Sequence, residues 1–186
     1  YKNAAVTAGI TDANIYVTSA VPIDGSGALA GIYKAYAKAG NKLNQSQINA
    51  AQNEMDTLSG ITKENKGKDG YSDAQLNNAV AGAKKEMAEK GSDLSKQDII
   101  NIVNNEIKDN NLGNVITNEQ KNQIVNILIQ IRDSGALKSG SFKQQAAKAM
   151  DSIQKNAQGI FSKYLITNDD DATGVRTGGI GSTGTM

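Results

Sequence analysis

Apolar residues recur at helical spacing from Ser26 onward, and each group predicts one helix face. The earlier faces are Leu29, Ile32, Tyr33 and Tyr36, then Ile48, Ala51, Met55 and Leu58, and then Leu76, Val80, Ala83 and Met87. The later faces are Ile99, Ile100, Val103 and Ile107, then Ile124, Val125, Ile127, Leu128, Ile129 and Ile131, and finally Phe142, Ala146, Met150, Ile153, Ala157, Phe161 and Tyr164. We expect the "IVNILIQI" helix to be the most buried and the last helix to close over the others.

Polar residues at fixed spacing mark where these helices begin and end. The capping-box-like pairs are Asn44 and Gln47, Ser72 and Gln75, Ser95 and Asp98, Thr117 and Gln120, and Ser141 and Gln144. The predicted helix ends are Gly40, Gly60, Gly91 and Gly135, and the opening "YKNAAVTAG" predicts a helix that ends at Gly9.

One stretch differs from this helical pattern. Residues 13–21, from Ala13 to Val21, alternate and are rich in β-branched side chains, so they predict a single β-strand. A lone strand needs a partner for its backbone, which we expect from upstream sequence or another chain. The fold class expected is therefore mainly α, a bundle of about six or seven helices with one N-terminal strand.

The same patterns suggest a division of the chain. We expect residues 1–43 to contain a helix end, the strand and a first full helix, and residues 44–166 to form the helical domain. Residues 167–186 are rich in glycine and threonine and predict a flexible tail.

Composition excludes several kinds of chemistry. The 186 residues include no cysteine and no histidine, which removes thiol nucleophiles, Ser-His-Asp triads and zinc sites built from those residues. Twenty basic residues against nineteen acidic ones give a net charge of +1, which argues against nucleic acid as the main partner. No apolar run is long enough to cross a bilayer.

Glycines after the predicted strand form the pattern Gly25-x-Gly27-x-x-x-Gly31 at the start of a helix. The spacing departs from the dinucleotide fingerprint and no second βαβ unit follows, so we favour a strand-to-helix corner over a phosphate site. A weak ligand site at this corner is the alternative. Its candidate residues are Asp24, Gly25, Ser26, Gly27, Gly31 and Tyr33.

Two further segments imitate functional motifs without completing them. Residues 65–76 and 109–120 resemble calcium loops but lack the closing glutamate, and we predict inter-helix loops there. The carboxylates of the helical region are expected to lie mostly on exposed faces, with none in an apolar setting that raises its pKa. They are Glu54, Asp56, Glu86, Glu89, Asp93, Glu106, Asp109, Glu119 and Asp133. We therefore predict no catalytic residue, no metal and no cofactor.

The N-terminal quarter of the chain resembles the YpuA-like family, a domain of unknown function found mainly in Gram-positive bacteria. The motifs that carry the resemblance are "VTAGI", the predicted strand, "GSGALAGI" and "YKAY" within residues 4–43. It extends more loosely through "ITNEQKNQIVNILIQI" to about Leu165. The resemblance implies export through a signal peptide, an upstream αβ segment, and a structural role for the glycines.

Together these observations favour an uncharacterised secreted protein, a non-catalytic binding or structural module of the Gram-positive cell envelope. Its partner would be an envelope component or another protein, the latter paired through the strand at residues 13–21. The alternative is a small-ligand-binding or hydrolytic protein that uses the corner from Asp24 to Gly31.

Overall fold

The structure, a computed structural model, describes residues 1–11 and 25–162, and within them the chain is mainly helical, as predicted. The α-helices are α1 (Lys2–Thr7), α2 (Gly25–Lys38), α3 (Gln45–Asn65), α4 (Asp73–Lys90), α5 (Lys96–Asp109), α6 (Asn118–Asp133) and α7 (Phe142–Asn156). A 3-10 turn at Ala136–Lys138 joins α6 to α7. No β-strand occurs in these ranges, and the strand predicted at residues 13–21 lies outside them, as does the predicted tail.

Helix α4 lies at the centre of the bundle. It packs most extensively against α7 and also contacts α5, α1 and α3. Ten of its eighteen residues are buried, so the expectation that the "IVNILIQI" helix, α6, is the most buried is wrong. The residues Ala79, Ala81, Gly82 and Ala83 explain the difference, because small side chains allow neighbouring helices to approach α4 closely.

The remaining helices pack around this centre. Helices α5 and α6 pack together, and α6 also lies antiparallel to α3, since Asn53 bonds Gln130 while Asn65 bonds Gln120. The apolar faces predicted from spacing supply most of the core. The larger hydrophobic cluster contains residues of every helix from α3 through α7, and a smaller one lies where α1, α2 and α3 meet.

Most of the predicted helix boundaries are confirmed. The side chains of Asn44, Ser72, Ser95 and Thr117 each accept a hydrogen bond from the backbone three residues on. The exception is Ser141, which makes no capping bond. The predicted stop at Gly60 is also wrong, because α3 continues to Asn65, where burial of Ile61 and Asn65 holds its last turn against the core.

Helix α1 ends as its sequence predicts. Gly9 has a φ of +81°, a conformation that glycine adopts without steric cost. Its N–H donates to the carbonyl of Val6, and the N–H of Ile10 donates to that of Ala5, which together form a Schellman motif. This C-terminal turn reverses the direction of the chain, so that Ile10 packs beside Ala4 and Ala8.

Candidate functional site

The predicted corner site, from Asp24 to Gly31, includes the start of α2. Asp24 lies outside the described residues, and helix α2 starts at Gly25 and includes Ser26. Gly27 and Gly31 are exposed positions of that helix. A Cβ atom at Gly31 would meet no other atom within 4 Å, so no close backbone approach requires glycine there. A ligand site at this corner stays a prediction.

Tyr33 is the corner candidate that points into the protein. It is half-buried against the small cluster of α1, α2 and α3. Its hydroxyl is buried and has no hydrogen-bond partner in the described part of the chain. Burial and the nearby Glu54 carboxylate raise the pKa of Tyr33.

A buried ion pair stands at the junction of α1, α3 and α4. Lys84 Nζ lies 2.7 Å from Glu54 Oε1, 2.7 Å from the carbonyl oxygen of Asn3 and 3.2 Å from Thr7 Oγ1. The Thr7 hydroxyl in turn donates to Glu54 Oε2 at 2.6 Å. Lys84, Glu54 and Thr7 are all 0% exposed. Because an ammonium group has three donors and each has a partner here, this Lys84–Glu54 cluster is saturated.

Glu54 is an exception to the prediction that the carboxylates lie mostly on exposed faces. Burial lowers the pKa of Lys84, while the charge of Glu54 and its hydrogen bond act in the opposite direction. A sequence signal did exist, since Glu54 stands between Ala51 and Leu58 and Lys84 between Val80 and Met87, all on apolar faces. Two opposite charges at apolar positions of different helices are typical of a buried pair.

Glu106 is a second carboxylate in a partly apolar setting. Burial and then the negative charges of Asp109 and Glu86 raise its pKa to about 7, against hydrogen bonding by Asn110 and the charge of Lys85. Asn110 Nδ2 donates to Glu106 Oε2 at 3.3 Å. The prediction that no carboxylate has a raised pKa is therefore wrong for this residue.

The Glu106 carboxylate packs against helix α4 at Gly82. A Cβ atom on Gly82 would lie 2.5 Å from Glu106 Oε2, so the carboxylate fills the space that another side chain would need. Because Gly82 has no side chain, the Glu106 carboxylate fits between α4 and α5.

The two calcium-like segments are inter-helix loops, as predicted. They lie between α3 and α4 and between α5 and α6. The first residue of one segment bonds the last of the other, since Asn65 Nδ2 donates to Gln120 Oε1 at 3.0 Å, and Lys68 completes the contact by donating to Asn65. Among the described residues no group of acidic side chains is placed to hold a metal ion.

An open cleft lies between α1, α3 and α4, the three helices that the Lys84–Glu54 cluster joins. The α1/α3/α4 cleft has a volume of about 390 Å³ and is lined by Tyr1, Asn3, Ala4, Met55, Leu58, Ser59, Thr62, Lys63, Asp73 and Asn77. Its apolar floor comes from the faces of α1 and α3, and its rim carries opposite charges. Sequence reasoning missed this cleft because its lining is assembled from three separate helices.

Comparison with known proteins places this architecture in a family. The family model described as "Protein of unknown function (DUF1002)" matches residues 1–149. The chain belongs to this family. It is also 32% identical over 167 residues to the uncharacterized protein YpuA of Bacillus subtilis (strain 168), an alignment that covers 89% of this chain and 54% of YpuA.

These matches confirm the resemblance to YpuA-like proteins. The chain spans about half the length of the curated relative it matches. No solved structure matches it. Within the described residues no helix is long and apolar enough to cross a membrane.

Proposed function

We propose that this member of the DUF1002 family is a non-catalytic binding module exported to the Gram-positive cell envelope. The observation that carries the proposal is the contrast between the two polar features at α1, α3 and α4. The charged groups of Lys84 and Glu54 are fully buried and bonded to one another, whereas the adjoining α1/α3/α4 cleft is open and lined by both apolar and polar side chains.

The buried pair supports a structural role for its own residues. A catalytic lysine or glutamate must reach its substrate, and every donor of Lys84 is already bonded inside the protein. The bonds instead hold α1 against α3 and α4, which fixes the wall of the cleft. A cleft on rigid helices suits recognition, because a preorganised site loses little conformational entropy when it binds.

Localisation to the envelope rests on the family resemblance. Co-sedimentation of the chain with isolated Gram-positive cell walls across a salt series tests it, beside an inert protein of similar size. We expect saturable retention that survives added salt. Retention no greater than that of the inert protein would exclude the wall as the target.

Two further candidate contacts need assays of their own. Strand pairing through residues 13–21 predicts that Val17→Pro reduces association with a protein partner, and a strict monomer unaffected by Val17→Pro argues against it. The corner alternative is favoured by the Tyr33 hydroxyl, which is buried and has no hydrogen-bond partner among the described residues. It predicts that Asp24→Asn and Ser26→Ala abolish binding of a small ligand without lowering the melting temperature, whereas a parallel loss of stability indicates helix caps.

A further inference from the structure

We propose that the α1/α3/α4 cleft binds a short peptide with free, oppositely charged ends. The proposal rests on the binding function above for its choice of surface, but it concerns the chemistry of the ligand and needs no cell wall. Three independent features of the cleft support it: a buried acceptor with no donor among the described residues, two rim charges that form no ion pair there, and an apolar floor.

The first feature is the amide of Asn3, a residue that is only 4% exposed. Its Nδ2 donates to the carbonyl oxygen of Asn77 at 2.9 Å and faces Asn77 Oδ1 at 3.4 Å. These contacts fix the orientation of the amide, so its oxygen is the atom left over. Oδ1 is buried and has no hydrogen-bond partner among the described residues. Buried acceptors of this kind are rare in proteins, and a ligand that enters the cleft with an N–H group would supply the missing donor.

The second feature is the pair of charges on the rim. Lys63 lies in the last turn of α3 and Asp73 in the first turn of α4. Both are exposed, and neither takes part in an ion pair within the described residues. A ligand that carries a carboxylate and an ammonium group matches both charges at once. A simple anion or cation would match one charge and be repelled by the other.

The third feature is the floor of the cleft. Ala4, Met55 and Leu58 give it an apolar surface, and methionine adapts to side chains of different shape. The volume of about 390 Å³ lies within the range of about 300–1,000 Å³ that is typical of small-molecule sites. An amide N–H, two charged ends and small apolar side chains are together the chemistry of a short peptide.

The test is calorimetric titration of the full chain with trialanine that has free ends, beside trialanine that is acetylated and amidated. We expect saturable binding of the free form and at least tenfold weaker binding of the blocked form. Lys63→Gln and Asp73→Asn should each weaken binding of free trialanine about five- to tenfold. The matched control variants Lys66→Gln and Asp69→Asn change exposed charges outside the cleft and should bind as the unaltered chain does.

Asn3→Ala tests the buried acceptor, with circular dichroism to verify that the variant is folded. If that variant unfolds, the rim variants still decide the matter, because their side chains are exposed. The proposal is overturned if free trialanine shows no saturable binding up to about 10 mM, if the blocked peptide binds equally well, or if both rim variants leave the affinity unchanged.

The outcome is distinguishable from that of the wall experiment. Retention on cell walls without peptide binding would preserve the binding module and exclude a peptide in this cleft. Peptide binding without wall retention would establish the ligand class and exclude the envelope target.

Discussion

Glu54→Gln is the substitution that should destabilise this fold most for its size. Glutamine retains the shape of the side chain and an acceptor for Thr7, but it leaves the Lys84 ammonium without an anion. At the observed 2.7 Å and an effective dielectric constant of about 20, Coulomb's law gives about 6 kcal/mol for the lost attraction. Relaxation recovers part of this, so we expect the free energy of unfolding to fall by about 3–5 kcal/mol. That is a large share of the roughly 5–15 kcal/mol that holds a domain together.

The loss should depend on pH in a direction set by Lys84. Burial lowers the pKa of Lys84, and Glu54 opposes that shift, so the variant should lower it further. A lysine whose pKa is lowered by folding loses stability as pH falls from its unfolded pKa, about 10.4, to its folded pKa. The stability is regained as pH rises back over the same range. Urea unfolding followed by circular dichroism should therefore show a larger defect near neutral pH than at about pH 10.

The matched control is Glu89→Gln, the same change in an exposed pair with Lys143 whose atoms lie 3.2 Å apart. Exposed pairs contribute little, so this variant should lose less than about 1 kcal/mol. Replacing the whole polar group, as Thr7→Val, Glu54→Leu and Lys84→Met together, should recover most of the loss, because no charge is then left buried. A loss of less than about 1 kcal/mol for Glu54→Gln, or one that does not vary with pH, would refute the reasoning.

Three other substitutions test local features of the fold. Glu106→Gln should stabilise the protein by about 1–2 kcal/mol above about pH 7, after allowance for solvent screening, and leave its stability unchanged below about pH 4. The reason is that a carboxyl group with a raised pKa costs stability as pH rises from its unfolded to its folded pKa. Urea midpoints measured across this pH range test the prediction, and equal effects at low and high pH would contradict it. Gly82→Ala should displace the Glu106 carboxylate into solvent and abolish that pH dependence. The gain in helix propensity, about 1 kcal/mol, should offset the lost packing. A net fall in the free energy of unfolding of more than about 1 kcal/mol would show that the carboxylate cannot move. Ser95→Ala should lower the free energy of unfolding by about 1 kcal/mol because it removes a helix cap. Ser141→Ala removes no capping bond and should change that free energy by less than about 0.5 kcal/mol. Chemical denaturation measures both.

The helices could be predicted from the sequence because spacing alone decides which residues share a face. The centre of the bundle could not. The run of Ile, Val and Leu residues in α6 predicted the most buried helix, yet α4 is more buried because the small residues Ala81 and Gly82 allow neighbouring helices to approach it closely. Size complementarity between helices is a tertiary property, and no single helix pattern records it. For the same reason Gly60 suggested an ending where packing against the core carries α3 onward.

The buried Lys84–Glu54 pair was missed because charged residues are usually exposed, and the carboxylates were therefore expected to lie mostly on exposed faces. The pattern does place Glu54 and Lys84 on apolar faces. It does not pair them, since the two residues are 30 positions apart and Thr7 lies 77 positions from Lys84. The cleft is hidden in the same way, because Asn3, Lys63 and Asp73 meet only after three helices have assembled.

The attachment of α1 implies an order of folding. The bond from Lys84 to Asn3 spans 81 positions of the chain. Closing so long a loop is slow relative to local helix formation. We expect α1 to dock after α3 and α4 have come together, and its amide protons to exchange faster than those of α4. Since Asn3 and Ala4 form one wall of the cleft, we expect a bound ligand to slow the local opening of α1 more than that of any other described helix.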